Sequence, residues 1–212
     1  KGLNMNTNSV AKMAVIACLT GSLFAQDELT KRASWSPASP EAVKLQVESW
    51  LGELKLDEQT KNEAKTLWVA DSLPSTGVDL LEHVALTIAM VDAESRPLVE
   101  LCRNIGTSRV APPTEILFDE SRTSFERANL RLYFAVWLAQ HRFYDEALEL
   151  LDGLTHEDVV DPASLLFYQS VVHHRLLDKE RCLDSLETLL ENEDAIPRRY
   201  LSVARLMEAD IK

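Results

Sequence analysis

The sequence predicts an all-α protein, and three observations carry that reading. Apolar residues recur at the three-and-four spacing of a helix. Several of these runs open on a capping residue followed by proline or an acid. The C-terminal part also resembles itself at an interval of 35 residues, the mark of stacked helical units. No segment alternates apolar and polar residues long enough for a strand; Val110 to Phe118 comes nearest, and Pro112-Pro113 interrupts it. The 212 residues are 46% apolar and 26% charged, the balance of a globular chain with a core. Three Cys are too few for a disulfide scaffold or a multi-cysteine zinc module.

The first element is an export signal. Lys12 precedes an uncharged, largely apolar run from Met13 to Ala25, which is too short to cross a bilayer comfortably. Residues 1–25 are therefore read as a signal peptide cut after Ala25, with an uncleaved anchor and a buried N-terminal helix as the alternatives. Residues 26–38 form a polar linker.

An N-terminal helical subdomain is expected over residues 39–106. Ser39-Pro40-Glu41 supplies an N-cap, a proline at the first helical position and an acid at the positive end of the helix dipole. Val43, Val47, Trp50, Leu51 and Leu54 then fall on one stripe. Asp57 caps a second helix, whose Ala64, Leu67 and Trp68 face that stripe. Val78 to Ala93 is apolar on nearly every side, which predicts a buried helix. Ser95 and Pro97 open a shorter helix that Gly106 ends. Residues 107–122, with two prolines and little periodicity, read as a linker between two helical parts.

Residues 123–212 hold the repeat. Ala147-Leu148 returns as Cys182-Leu183, Leu151 as Leu186 and Leu154 as Leu189. Ala135 pairs with Ser170, Trp137 with Val172, and Pro162 with Pro197, all at the same interval. Each unit reads as two helices joined by a tight turn: 124–140 with 144–154, then 162–177 with 179–191. A further opening helix runs from Pro197 toward Lys212. The packing need is simple, since helices that cross closely tolerate only a small side chain at the contact. That assigns repeat-packing positions to Ala135, Ala147, Ser170 and Cys182.

The run Leu138-Ala139-Gln140-His141-Arg142-Phe143-Tyr144-Asp145-Glu146-Ala147-Leu148 resembles the turn and second helix of a tetratricopeptide repeat. In that family a small residue on the first helix, an aromatic at the turn and an alanine in the second helix recur, and Ala135, Tyr144 and Ala147 match. The second unit has Ser170, Lys179 and Cys182, so its turn aromatic is lost. Arg131 replaces a usual large apolar residue, and Arg142 stands where a turn glycine is common. The resemblance covers residues 124–212 and implies a right-handed α-solenoid-like stack of antiparallel helix pairs. It also implies a groove lined by first helices: Asn129, Leu132 and Val136 from one unit, and Phe167, Val171, His174 and Arg175 from the next. Burial of Leu132 and Phe167 under neighbouring helices is the alternative. The stretch from Asp158-Val159-Val160-Asp161-Pro162 through Leu186 also resembles a family of secreted planctomycete-type bacterial proteins that carries no known activity. That resemblance implies only a repeat architecture, in a chain expected to continue past Lys212.

The functional reading follows from charge and spacing. Acids outnumber Lys and Arg by 34 to 22, for a formal charge of −12, which disfavours nucleic acid and anionic lipid. Membrane contact is expected only through an uncleaved N-terminal segment. His173 and His174 are neighbours on a helix and point about 100° apart, so they do not converge on a metal. The carboxylate pairs Glu146 and Glu149, Asp184 and Glu187, and Glu191 and Glu193 lie opposite the leucine stripe, as solvated surface does. No phosphate loop, nucleophile elbow or zinc-binding His-Glu pair occurs, so no catalytic residue, metal or cofactor is assigned. Arg122, Arg127 and Arg131 make a small basic cluster, with Asp119, Glu120 and Glu126 beside them as ion-pair partners. Cys102 and Cys182 are expected as separate buried thiols, with a disulfide between them as the alternative. The expectation is an exported, periplasmic or envelope protein that binds a protein or peptide and performs no catalysis. An envelope hydrolase with a carboxylate pair in the N-terminal part, or a structural spacer, would be a different class.

Overall fold

Helices start where the chain supplies a side chain to cap them. The computed structural model describes residues 35–37, 39–68, 76–103 and 114–212. The expected signal segment, most of the linker after it and the Gly106 stop lie outside the described residues. Ser39 Oγ accepts from Ala42 N at 3.2 Å and opens α1 (Pro40–Glu53). Asp57 Oδ1 accepts from Thr60 N at 2.9 Å and opens α2 (Glu58–Thr66). Gly77, at φ 91°, leads into α3 (Val78–Val91), and α4 (Arg96–Arg103) follows after a short turn.

Beyond a 3-10 turn at Thr114–Leu117, Thr123 and Glu126 form a reciprocal capping box for α5 (Ser124–Gln140). Then come α6 (Tyr144–Leu151), α7 (Pro162–Arg175), α8 (Lys179–Leu190), a 3-10 turn at Glu193–Ala195 and α9 (Arg198–Ile211). Asp161 caps α7 and Asp178 caps α8. Among the described residues every regular element is helical, so the chain is all-α.

Two of the turns are alike. Arg142 (φ 69°) and Leu177 (φ 62°) are left-handed, 35 positions apart. After α5, Phe143 N donates to Leu138 O at 3.0 Å and Arg142 N to Ala139 O at 3.1 Å. After α7, Asp178 N donates to His173 O at 2.9 Å and Leu177 N to His174 O at 3.2 Å. This paired closure is the Schellman motif, which satisfies the last carbonyls of a helix and turns the chain back for the next one.

The helices pack in an overlapping order. α1 meets α2, α2 meets α3, and α5 lies against both α3 and α4. α7 lies against both α5 and α6, and α9 against both α7 and α8. Arg122, at the start of α5, bonds Asp92, just past the end of α3. Val78 and Gln140 share a cavity wall at the opposite ends of these helices. α3 therefore runs antiparallel to α5. Of the 107–122 stretch, expected to link two helical parts, residues 107–113 lie outside the described residues. Ile116 and Leu117 within that stretch are buried.

Trp35, placed by the sequence reading in a polar linker, is a core residue. Its indole donates to Thr188 O at 2.7 Å, and Asn192 Nδ2 donates to Trp35 O at 2.6 Å. The start of the described chain is thereby fastened beside the end of α8.

Candidate functional site

The face shared by α5 and α7 is where the sequence places a groove, and four of its seven residues are buried. Asn129, Leu132, Val136 and Phe167 are buried in the core rather than exposed on a groove floor. α5 meets α3, α4, α6 and α7, which leaves little of its surface uncovered. Asn129 acts as a brace: its Nδ2 donates to Phe125 O at 2.8 Å, and its Oδ1 accepts from Val160 N at 3.0 Å. Phe167 stacks on Tyr200 of α9, with ring centres 4.0 Å apart and planes 5° from parallel. Val171 is half-buried, His174 bonds Asp210 at 3.0 Å, and Arg175 is exposed. The accessible remainder of the expected groove is thus the last turns of α7, beside the end of α9.

Ala135, Ala147, Ser170 and Cys182 are all fully buried. Cys182 Sγ donates to Ser170 O at 3.3 Å, and Ser170 Oγ turns back to Leu166 O at 2.7 Å. α7 and α8 approach closely here because both contributing side chains are small.

Val136 also lines a cavity of about 370 Å³ between α3, α4 and α5. Glu82 and Arg103 form an ion pair of 2.8 Å on its wall, with Cys102, Tyr133, Trp137 and Gln140 around it. Burial, with the Glu82 charge adding to it, pushes the Cys102 thiol up to about 12. Burial and then Asp178 push Cys182 up to about 11. Both cysteines are free, and both stay protonated at neutral pH, so neither is poised as a nucleophile.

The histidines diverge. His173 is buried, and burial lowers its pKa despite Asp178 at 3.6 Å, while His174 turns to Asp210. Among the described residues no three metal-ligating side chains come together. The buried carboxylates there are Glu126 and Asp161, and each caps a helix. Asp161, to which the sequence reading assigned no role, also accepts from Thr76 and Gly77 ahead of α3. Neither Trp35 nor this bridge was found from sequence; a lone tryptophan in a polar stretch was the available signal for the first.

Among the described residues no helix is long and apolar enough to cross a membrane. No protein-family model, curated protein or solved structure matches the chain.

Proposed function

We propose that this chain is an exported, non-catalytic interaction protein of the cell envelope, built as a tetratricopeptide-like, right-handed stack of helix pairs. The observation that carries the reading is the recurrence of one turn, at Arg142 and Leu177, at the interval of the sequence repeat. Two further facts support it: α7 and α9 each rest on both members of the preceding pair, and small buried residues stand at matching positions. The docking surface in this reading is the flank formed by the ends of α7 and α9. The half-buried Val171 supplies an apolar contact there, with His174, Arg175 and Asp210 as polar neighbours, and the partner is a protein or peptide segment.

The test is affinity capture from envelope extracts with the full chain, comparing wild type with Arg175→Glu and Val171→Asp. Lys61→Glu on α2 serves as a distant control. A species retained by wild type and the control but lost with both flank variants, at unchanged melting temperature, supports the assignment. Equal capture by all four sinks it. Phe167 is unsuitable for this purpose, because its replacement opens the core against Tyr200. Cell fractionation separately tests export; recovery in the cytosol alone would end that part of the reading.

A further inference from the structure

The basic cluster at the start of α5 separates into three different environments. Arg122 is enclosed by acids: it bonds Asp92, meets Glu94 Oε2 at 2.8 Å and lies 3.8 Å from Asp119. Arg131 donates Nε to Leu150 O at 3.0 Å and Nη2 to Asp152 O at 2.6 Å. Its guanidinium is also 5.3 Å from the ring centre of Phe118, over the ring face. These contacts fix Arg131 at the carbonyl end of α6, where a cation is favoured. Arg127 shares with Arg122 a buried Nε that has no hydrogen-bond partner, but both Nη atoms of Arg122 bond acids.

Ser124, Arg127 and Arg131 fall at i, i+3 and i+7, on one stripe of α5, and all three line a cavity of about 420 Å³. Phe118, largely exposed, forms another part of its wall, and the turn at Gly153-Leu154 adds to it. Two acids also line it. Asp158 accepts from Thr155 N at 2.8 Å and Oγ1 at 2.7 Å through one oxygen, its charge also favours the Arg131 cation, and Glu120 is exposed. Like charges four residues apart on a helix repel, and a buried charged donor without an acceptor is unfavourable. An anion between the two guanidiniums relieves both.

We propose that this cavity binds an oxyanion carried on an apolar body. The carboxylate or phosphate oxygen accepts from Arg127 Nε–H and from the Arg131 N–H groups that Leu150 O and Asp152 O do not hold, and the apolar body lies against the exposed part of Phe118 that Arg131 does not cover. The site is separate from the α7–α9 flank and does not depend on that reading.

The experiment is a titration of the full chain followed by the arginine Nε–H resonances. The probes are inorganic phosphate, phenyl phosphate, acetate and 3-phenylpropanoate, with benzyl alcohol as the uncharged control. A saturable shift of Arg127 Nε–H with the aromatic anions is expected, and none with benzyl alcohol. The aromatic anions should bind roughly tenfold more tightly than the simple ones, and Phe118→Ala should remove that advantage. Preference between the phosphate and carboxylate series identifies the source of the oxyanion. Arg127→Gln should weaken binding by roughly tenfold or more while far-UV circular dichroism stays unchanged. No saturable shift at millimolar concentrations, shifts confined to other arginines, or equal binding by Arg127→Gln overturns the proposal. Should that variant fail to fold, the wild-type shift pattern decides: changes grouped on Ser124, Arg127 and Gly153 support it, and scattered changes refute it.

Discussion

Asp161 ties Thr76 to the first turn of α7. Thr76 Oγ1 donates to Asp161 Oδ1 at 2.8 Å, across 85 positions of sequence, and Gly77 N donates to Oδ2. The same carboxylate accepts from Ser164 N at 3.2 Å and Ser164 Oγ at 2.7 Å. A helix cap has become the joint between the start of α3 and the start of α7. Asp161→Ala should cost about 2–4 kcal/mol, since it removes a cap and leaves buried donors without an acceptor. Thr76→Ala should cost about 1 kcal/mol, the lesser share. Urea unfolding measures both, and a loss below that of Thr76→Ala would show that Asp161 is only a local cap.

Leu177 holds a left-handed backbone (φ 62°) while its side chain is 83% exposed. Glycine enters that region without the steric penalty of a Cβ, and little buried surface is given up. Leu177→Gly should therefore raise stability by about 0.5–1 kcal/mol. A fall in the urea midpoint would show that Leu177 packs usefully in the turn.

The two thiols make stability fall at alkaline pH. Below the ordinary thiol value of 9.0, folded and unfolded chains both carry the protons, and the contribution is intact. Above it the unfolded chain releases protons that the folded protein keeps. Stability then declines until Cys182 ionises at about 11 and Cys102 at about 12. Tyr133 and Tyr200 add to the decline, because burial raises both phenols well above 10.0. In the native protein Cys102 and Cys182 should resist thiol reagents at pH 8, and both should react fully once it is unfolded. Rapid native labelling of Cys182 would contradict its burial beside Ser170.

Arg122 and Asp92 supply the acid limb. Burial pushes the Asp92 carboxyl up, but hydrogen bonds from Arg122, Ser95 and Glu94 N outweigh it and hold the group below 3.8. Its contribution is present above the ordinary carboxylate pKa and is lost as pH falls through the depressed one. Arg122→Met should cost about 3 kcal/mol at neutral pH, as loss of one partner from a largely buried pair does. It should also flatten the dependence of stability on pH below about 4. An unchanged acid limb in the variant would place that dependence elsewhere.

The helices were legible because their signals are local. Ser39 and Asp57 bond backbone N–H groups three residues on, as their positions predict, and α5 spans the expected 124–140. Helix ends were placed less well: α6 stops at Leu151 and α7 at Arg175, because a Schellman turn or a bend closes the helix before its apolar stripe runs out. Arg142 and Leu177 carried no glycine to announce that turn.

The burial of four of the expected groove residues was not legible for a different reason. Helical spacing tells which residues of α5 share a face, and Leu132 and Val136 do share one. It does not tell that α3 and α4 will cover part of α5, or that Tyr200 will stack on Phe167. Local hydrogen bonds and periodic apolar stripes determined the class and order of the elements, since both act within a turn or two of the chain. Which stripe ended in the core, and where a donor such as Arg127 Nε was left without an acceptor, was decided only when segments far apart in sequence competed for the same surface.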